Sequence, residues 1–362
     1  MSDRHQSPEF TPDFFFTTVN SYYRTAAVKA GIQLGLFDVV DGEGKSIAEI
    51  AQACHASTRA MRILCRFLAS IGFLKTSNDL FFMTREMALY LGRKSPGYLG
   101  DSIDFLLSPY IVDAFRDLAS VVRTGKVGLS DGGITSPNHP QWVEFARVMA
   151  PSMALPALLV AELADGEASQ PLKVVDVAAG HGLFGLAIAQ RNPNATVTLI
   201  DWGNVLQLAR DNAANAHVLD RVEFRAGDAF DVDFGRDQDV IILANFLHHF
   251  DEAACDKILK KAHAALRDGG RVLTVEFIVN EDRTSPTIAA EFSMMMLGTT
   301  LGGEAWAYSD LERMLRRTGY GEVKLQAIPP AMEQVILATK APAQRAQRQI
   351  GELSNVRQTV RL

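Results

Sequence analysis

Four short segments, each at the end of a predicted strand, carry the residues best suited to hold a ligand. The first runs from Asp176 to Gly182 and opens a helix, so its glycines let backbone N–H groups come close to a bound molecule. Asp201 closes the second strand, where a carboxylate can accept both hydroxyls of a ribose. The third strand leads to 227–230, where Asp228 and Phe230 could face an adenine ring, and the fourth leads to 245–251. Together the four tips predict a nucleotide-like cofactor, but NAD and S-adenosylmethionine (SAM) both contain the ribose and the adenine.

The elements that must position these tips alternate between strand and helix from Leu172 onward. Buried apolar runs predict strands at 173–178, 195–201, 222–226, 239–244 and 271–276, and helical periodicity predicts helices at 183–191, 205–216 and 252–266. Two further runs, at 324–328 and 334–339, predict a terminal hairpin. This alternation is typical of an α/β fold with a doubly wound, mostly parallel sheet that binds ligands at the strand ends.

The first hundred residues follow a different pattern, with helices and then a small hairpin. Ser46 and Glu49 form a capping-box pattern, and two short strands flank the turn at 77–79. This order predicts a mainly helical, winged-helix domain that pairs with a second copy, since its apolar positions exceed what so small a unit can bury. We expect four regions: a dimerisation domain at 1–107, a helical connector at 108–169, a catalytic domain at 170–341 and a polar tail at 342–362.

Composition and charge exclude several other classes. The chain has 362 residues, 48% of them hydrophobic, and a net charge of −6, which gives no footprint for nucleic acid or an anionic membrane. The three arginines of the second winged-helix helix therefore fit a solvated face better than a DNA reader. Three widely spaced cysteines predict neither disulfides nor a zinc site, and no acidic cluster indicates another metal. No signal peptide and no run of about 20 apolar residues stands out, so we expect a cytoplasmic protein.

With these motifs in order, residues 14–340 resemble the SAM-dependent O-methyltransferases that join a winged-helix dimerisation domain to a Rossmann-like catalytic domain of class I. That group includes plant caffeate and flavonoid enzymes and bacterial enzymes of polyketide, carotenoid and bacteriochlorophyll tailoring. The matching segments are Val175–Gly182, Ile200–Asp201, Gly227–Phe230, Leu247–Asp251, Leu266–Arg271 and Gly302–Glu304.

The resemblance implies that the cofactor is SAM, with S-adenosylhomocysteine (SAH) as product. The glycine loop would face the methionine part, Asp201 the ribose, and Asp228 with Phe230 the adenine. The full set of implied cofactor contacts is Asp176, Ala179, Gly180, Gly182, Asp201, Trp202, Gly227, Asp228, Ala229, Phe230 and Asn245. His248 falls where the family has its general base, and Glu276 where it has the acid that orients this histidine. His249, by contrast, is expected to point away or to cap the next helix.

For the acceptor, the resemblance implies a small, largely apolar molecule. The residues at the positions of the family's acceptor pocket are Trp142, Phe145, Met149, Met295 and Glu304. Two departures stand out: Ser293 and Ala305 occupy positions where plant members commonly carry acids. We therefore expect O-methylation of an aromatic or polyketide-like acceptor, with C- or N-methylation, or other SAM-dependent chemistry, left open. An NAD(P)-dependent oxidoreductase and a SAM-sensing regulator are lower alternatives.

Overall fold

The computed structural model describes residues 10–129, 132–136, 138–165 and 170–342, and the fold divides into two compact units between Ile103 and Asp104. The predicted polar tail falls almost wholly outside the described residues.

The first unit is mainly helical, with one small sheet. Its elements are α1 (Pro12–Val19), α2 (Ser21–Gln33), α3 (Leu36–Val39), β1 (Lys45–Ser46), α4 (Ile47–Ala53), α5 (Thr58–Ser70), β2 (Lys75–Ser77), β3 (Leu80–Phe82) and α6 (Arg85–Leu91). The three strands pair antiparallel in the order β1-β3-β2. The capping box at α4 is confirmed: the Ser46 side chain accepts from the Glu49 N–H, and Glu49 accepts from the Ser46 N–H at 2.8 Å. Helices followed by this hairpin are the predicted winged-helix pattern.

Helices begin the second unit. They are α7 (Ser102–Leu106, across the division), α8 (Pro109–Ala114), α9 (Leu118–Thr124) and the long α10 (Gln141–Asp165). By length and composition alone, Gln141–Ala164 could cross a membrane, as could the core helix of many globular domains. In this fold its residues Ala157, Val160 and Ala161 are buried in the same core as residues of the sheet.

The remaining elements alternate strand and helix, as predicted. They are β4 (Leu172–Val177), α11 (Leu183–Arg191), β5 (Ala195–Asp201), α12 (Leu206–Asn215), β6 (Val222–Ala226), β7 (Gln238–Ala244), α13 (Glu252–Ala265), β8 (Leu266–Glu276), α14 (Thr287–Thr299), α15 (Tyr308–Arg317), β9 (Tyr320–Ala327) and β10 (Gln334–Lys340). The strand order is β6-β5-β4-β7-β8-β10-β9. The first five strands are parallel, and the terminal hairpin is antiparallel.

Two cores hold this sheet between layers of helices. Val174 contributes to the core that contains residues of α10 and α11, whereas Val175 contributes to the core of α13 and α15. Successive strand residues point to opposite faces, so a strand that is apolar at both positions must be covered on both sides.

Strand β8 is longer than predicted. The sequence indicated a strand from 271, but β8 begins at Leu266, directly after α13. Leu266 pairs with Gln238 of β7, and the register then shifts before Arg271 pairs with Val240. The irregularity contains Gly269 at a φ of +74°, a conformation that glycine adopts without strain. A glycine pair that usually signals a loop is here part of a bulged strand.

Candidate active site

The central strand β4 has β5 on one side and β7 on the other, so the chain order reverses beside it. Ligands in such sheets bind at the carboxyl ends of the strands at this point. Two non-glycine residues there have left-handed backbone: Ala178 after β4 has a φ of +54°, and Asn245 after β7 a φ of +51°. Such conformations cost free energy and persist only where the surrounding structure holds them. They cluster at functional sites.

A cavity with aspartate side chains among largely apolar residues, termed the cofactor cavity, opens at these strand ends. Ten of the eleven residues implied as cofactor contacts line it: Asp176, Ala179, Gly180, Asp201, Trp202, Gly227, Asp228, Ala229, Phe230 and Asn245. Gly182 does not. A Cβ at this position would meet Leu199 at 3.0 Å and Ala209 at 3.1 Å, so its missing side chain lets α11 pack against neighbouring elements. The structure thus gives Gly182 a packing role, and its contact with a cofactor stays a prediction.

Three aspartates line the cofactor cavity, and backbone N–H groups hold two of them, Asp176 and Asp201. Asp201 accepts hydrogen bonds from the N–H groups of Gly180 at 2.7 Å and Trp202 at 2.6 Å. Asp176 accepts from the Gly185 N–H at 2.9 Å, and its Oδ1 has no partner. Burial raises the pKa of Asp176 to about 7 and that of Asp201 to about 6. The cavity can therefore take up a cationic or hydrogen-donating ligand next to these carboxyls.

His248 and Glu276 meet beside this cavity, although they lie 28 residues apart in sequence. The Asn245 N–H donates to the Val275 carbonyl at 2.8 Å, which continues the pairing of β7 with β8 and brings the next turn over Glu276. Glu276 Oε1 accepts from the N–H groups of Phe246 and Leu247, and Oε2 lies 2.5 Å from His248 Nδ1.

The arrangement of this pair fixes its chemistry. Both side chains are almost fully buried, with 2% of His248 and 1% of Glu276 exposed. A carboxylate that accepts backbone hydrogen bonds also accepts from the imidazole, so the Nδ1 proton lies toward Glu276 and Nε2 keeps a free lone pair. His248 can therefore receive a proton at Nε2, and Glu276 stabilises the cation that results.

A second, largely apolar cavity lies on the other side of His248 and is termed the acceptor cavity. Its lining includes residues from α7, α8, α10 and α14: Phe105, Ile111, Trp142, Phe145, Met149, Met153, Ile288, Phe292, Met295 and Met296. The Phe292 ring packs edge-on against His248 with ring centres 4.6 Å apart. Of the five residues implied for the acceptor, Trp142, Phe145, Met149 and Met295 are brought together here.

The two cavities share a wall. Residues that line both are Trp142, Phe145, Met153, Asn245 and His249. His249 packs against Trp142 with ring centres 5.2 Å apart. The expectation that it points away or caps a helix is wrong, because Asp251 supplies the cap of α13 by accepting from the Ala254 N–H. Burial, and then the charge of His248, lower the pKa of His249 well below its usual value.

Comparison with known proteins gives the family. Residues 115–321 match the O-methyltransferase domain family, and residues 16–91 match the O-methyltransferase dimerisation domain. The chain belongs to the O-methyltransferase family.

Similar proteins include bacterial and animal members of this family. A 3-hydroxy-5-methyl-1-naphthoate 3-O-methyltransferase of Streptomyces sahachiroi is 25% identical over 91% of this chain and 96% of its own length. A crystal structure of an O-methyltransferase from Nostoc punctiforme is 44% identical, with a TM-score of 0.87 over 91% of this chain and all of that chain. Human N-acetylserotonin methyltransferase, solved in complex with SAM, shares the fold at 19% identity, with a TM-score of 0.76 over 93% and 100% of the two chains.

This O-methyltransferase departs from the plant pattern at Ser293 and Ala305. The structure brings the two positions together: the Ala305 N–H donates to Ser293 Oγ at 3.0 Å. Neither residue lines a described cavity. Glu304 is also outside both, because its carboxylate forms an ion pair with Arg283 at 2.7 Å. The expected acceptor contact at Glu304 is therefore not made in this structure.

The sequence did not predict several of the residues that line the two cavities of this O-methyltransferase. The most consequential are His181, whose pKa burial lowers to about 4, and Met153, Phe292 and Glu333. His181 stands inside the glycine loop and could have been inferred from that position. Glu333 precedes the last strand, and no pattern connects it with a cavity.

Proposed function

We propose that this O-methyltransferase moves the methyl group of SAM to a hydroxyl of a small aromatic or polyketide-like acceptor. One observation carries the proposal: a cavity lined in part by three aspartates shares a wall with a more apolar cavity, and the buried His248–Glu276 pair stands on the side of the apolar one. A transferase must bring two substrates of different polarity into contact, with a base beside the accepting atom.

The residues of the cofactor cavity fit SAM better than a dinucleotide. Asp176 Oδ1 and Asn245 Oδ1 are buried acceptors without a partner, and SAM offers an ammonium group, ribose hydroxyls and an adenine amine as donors. Among the described residues, three aspartates and no Lys or Arg line the cavity, so a pyrophosphate would find no cation. His181 is held neutral by its lowered pKa.

In this proposal Asp201 holds the ribose, while Asp228 and Phe230 hold the adenine. Ala179 and Gly180 face the methionine part. When bound, SAM supplies an electrophilic methyl carbon on a sulfonium. The acceptor hydroxyl, held in the acceptor cavity, would lose its proton to His248 Nε2 as its oxygen bonds to the methyl carbon and the carbon–sulfur bond breaks, with SAH as the leaving group. Orientation across the shared wall supplies much of the rate enhancement.

The acceptor is inferred from the walls of its cavity. Aromatic rings and methionines dominate, and flexible thioether side chains adapt to bulky apolar ligands. The relative from Streptomyces sahachiroi acts on a hydroxynaphthoate, which is a molecule of this kind. The His–Glu pair favours a hydroxyl as the methylated group, because deprotonation gains most at an acidic O–H. Methylation at carbon or nitrogen is the second candidate.

Two measurements test the proposal together. Calorimetric titration of the purified protein with SAH and with NADH should give micromolar binding of SAH alone. Incubation with trideuteromethyl-SAM and a panel of phenols and naphthols should then give products heavier by the labelled methyl group. Binding of NADH without SAH would overturn the proposal, and labelled carbon or nitrogen products would move it to the second candidate.

We also propose that the chain is a homodimer through residues 16–91. The first unit has exposed aromatic side chains on α1 and α2, among them Phe15, Phe16, Tyr22 and Tyr23. A contiguous exposed apolar surface is typical of an interface. Sedimentation equilibrium should give twice the mass of 39.6 kDa, and a monomer at micromolar concentration would contradict this. A cytoplasmic location stays a prediction.

A further inference from the structure

Glu333 is a buried carboxyl group on the wall of the acceptor cavity. It directly precedes β10, whose first residue, Gln334, pairs with Glu276 at the end of β8. The position therefore lies at the same edge of the sheet as the His248–Glu276 pair. Only 2% of Glu333 is exposed, yet its Oε1 has no hydrogen-bond partner.

An unpaired, buried carboxyl oxygen lowers the stability of the folded protein. A buried polar atom that lacks a partner has lost its hydrogen bonds to water without replacement, which destabilises the folded state. Most of the surrounding wall, including Phe277, Phe292 and Met296, offers no polar atom to compensate. The other carboxylate on this wall, Glu291, lies on the solvent-exposed side, where water satisfies it. Glu333 is thus a buried acceptor atom in a cavity shaped for an apolar molecule.

We propose that Glu333 selects the acceptor by binding a second hydrogen-bond donor, a hydroxyl or an amine, distinct from the hydroxyl methylated beside His248. The inference rests on the proposed function for the identity of the cavity. It narrows the acceptor class from a simple phenol to an aromatic compound with two separated donor groups.

The electrostatics of the site agree with such a role. Burial raises the pKa of the Glu333 carboxyl, while nearby His248 acts in the opposite direction. Whether ionised or protonated, a carboxyl group retains acceptor capacity toward an O–H or N–H. A site that pairs with a substrate donor rejects an analogue without it, because the protein group is then left unpaired.

The test compares probes that differ by one hydroxyl. Binding of 1-naphthol, 2-naphthol and the dihydroxynaphthalene isomers is measured by calorimetry on the SAH-loaded protein. We expect at least one isomer to bind the unmodified protein about 10- to 100-fold more tightly than either naphthol. The isomers vary the distance between the two hydroxyls, so the preferred isomer reports the separation of His248 from Glu333.

Three variants test whether Glu333 causes the preference for the diol. Glu333→Leu should remove the preference for the diol and leave naphthol binding unchanged or tighter. Glu333→Gln, which keeps an acceptor oxygen and the shape of the side chain, should retain part of it. Glu162→Gln, a control at an exposed carboxylate of α10 that lines neither cavity, should change neither. SAH affinity and the melting temperature verify that each variant is folded.

The outcomes separate this inference from the proposed function. If the diol preference depends on Glu333 but no probe is methylated, the inference stands and the assigned reaction fails. If naphthols are methylated but all probes bind alike with and without Glu333, the reaction stands and the inference is overturned. Equal weakening of every probe by Glu333→Leu, or the absence of diol binding up to the solubility limit, also overturns it.

Discussion

The two cavities of the catalytic unit are built in opposite ways. All but a few residues of the cofactor cavity come from the ends of β4 to β7 and the segments that follow them, within 176–250. The acceptor cavity collects residues from Phe105 to Glu333 that lie on helices, a strand end and the terminal hairpin. The first places three aspartates among apolar residues, and the second is more strongly apolar, with a few separate polar side chains. In the proposed function, the strand ends would therefore bind the methyl donor, and the helices would supply most of the contacts to the acceptor.

The largest effect is expected at His248, which lies on the acceptor side of the shared wall, where we place the proton transfer. His248→Ala should lower kcat by about 100-fold or more, the usual scale for a general base, because Nε2 no longer receives the proton. SAH affinity should remain within about twofold, since His248 does not line the cofactor cavity. Steady-state kinetics and calorimetry measure the two. Unchanged kcat would mean that proximity alone drives the transfer.

Glu276→Gln should cost nearly as much, about 100-fold in kcat. The amide would donate to His248 Nδ1 and thereby place the ring proton on Nε2, where it blocks proton uptake. Glu276→Asp, which keeps the carboxylate on a shorter side chain, is the control for charge. A pH–rate profile shows whether the acidic limb, where the general base takes up a proton, shifts, which a merely structural role would not cause. Full activity of the Gln variant would contradict a ring whose Nδ1 proton lies toward Glu276.

The cofactor cavity should bind its ligand with an affinity that depends on pH. Asp176 and Asp201 have pKa values of about 7 and 6, above the ordinary 3.8, so the folded protein without ligand holds protons that the unfolded chain releases. Its stability should therefore fall as pH rises from about 4 to about 7. The ammonium group of SAH favours ionised carboxylates, so SAH affinity should rise about tenfold between pH 5.5 and 8.

The Asp176→Asn variant gives the control for this linkage. It should melt at a higher temperature than the parent at pH 8 without ligand and bind SAH with a weaker dependence on pH. Melting curves and calorimetry at the two pH values test both statements. An affinity that falls with rising pH would show that the ligand does not bind preferentially to the ionised form of these two carboxyls.

The smallest effect is expected at the shared wall. His249→Phe keeps an aromatic ring against Trp142 and removes a histidine whose lowered pKa makes it a weak base. We expect kcat to stay within about fivefold and any change to appear in the KM of the acceptor. A loss as large as that of His248→Ala would identify His249 as the base instead.

These contrasts also explain what the sequence could reveal. The strand ends were predictable because parallel strands deliver their carboxyl ends to one edge of the sheet, so ten of eleven implied cofactor residues lie together. The packing role of Gly182 was not predictable, because a glycine at such a strand end can serve ligand approach, helix packing or both, and the sequence does not show its neighbours. The prediction for His249 was wrong because the direction of a side chain in a short turn depends on the tertiary contacts of that turn.

The acceptor cavity was less predictable for a physical reason. Trp142 and Met149 sit on an apolar helix, and nothing in their spacing separates core from cavity. Glu304 was implied by its neighbours in sequence, but Arg283 draws its carboxylate away. Glu333 had no sequence signal, since its role depends on the pairing of β10 with β8.

The most direct measurement is the structure of the protein with SAH. We expect the adenine beside Phe230, the ribose on Asp201 and the sulfur atom at the shared wall next to Asn245 and His249, facing the acceptor cavity. A complex with the adenine among the helices, or with the sulfur turned away from that wall, would contradict the division of the site into a donor side and an acceptor side.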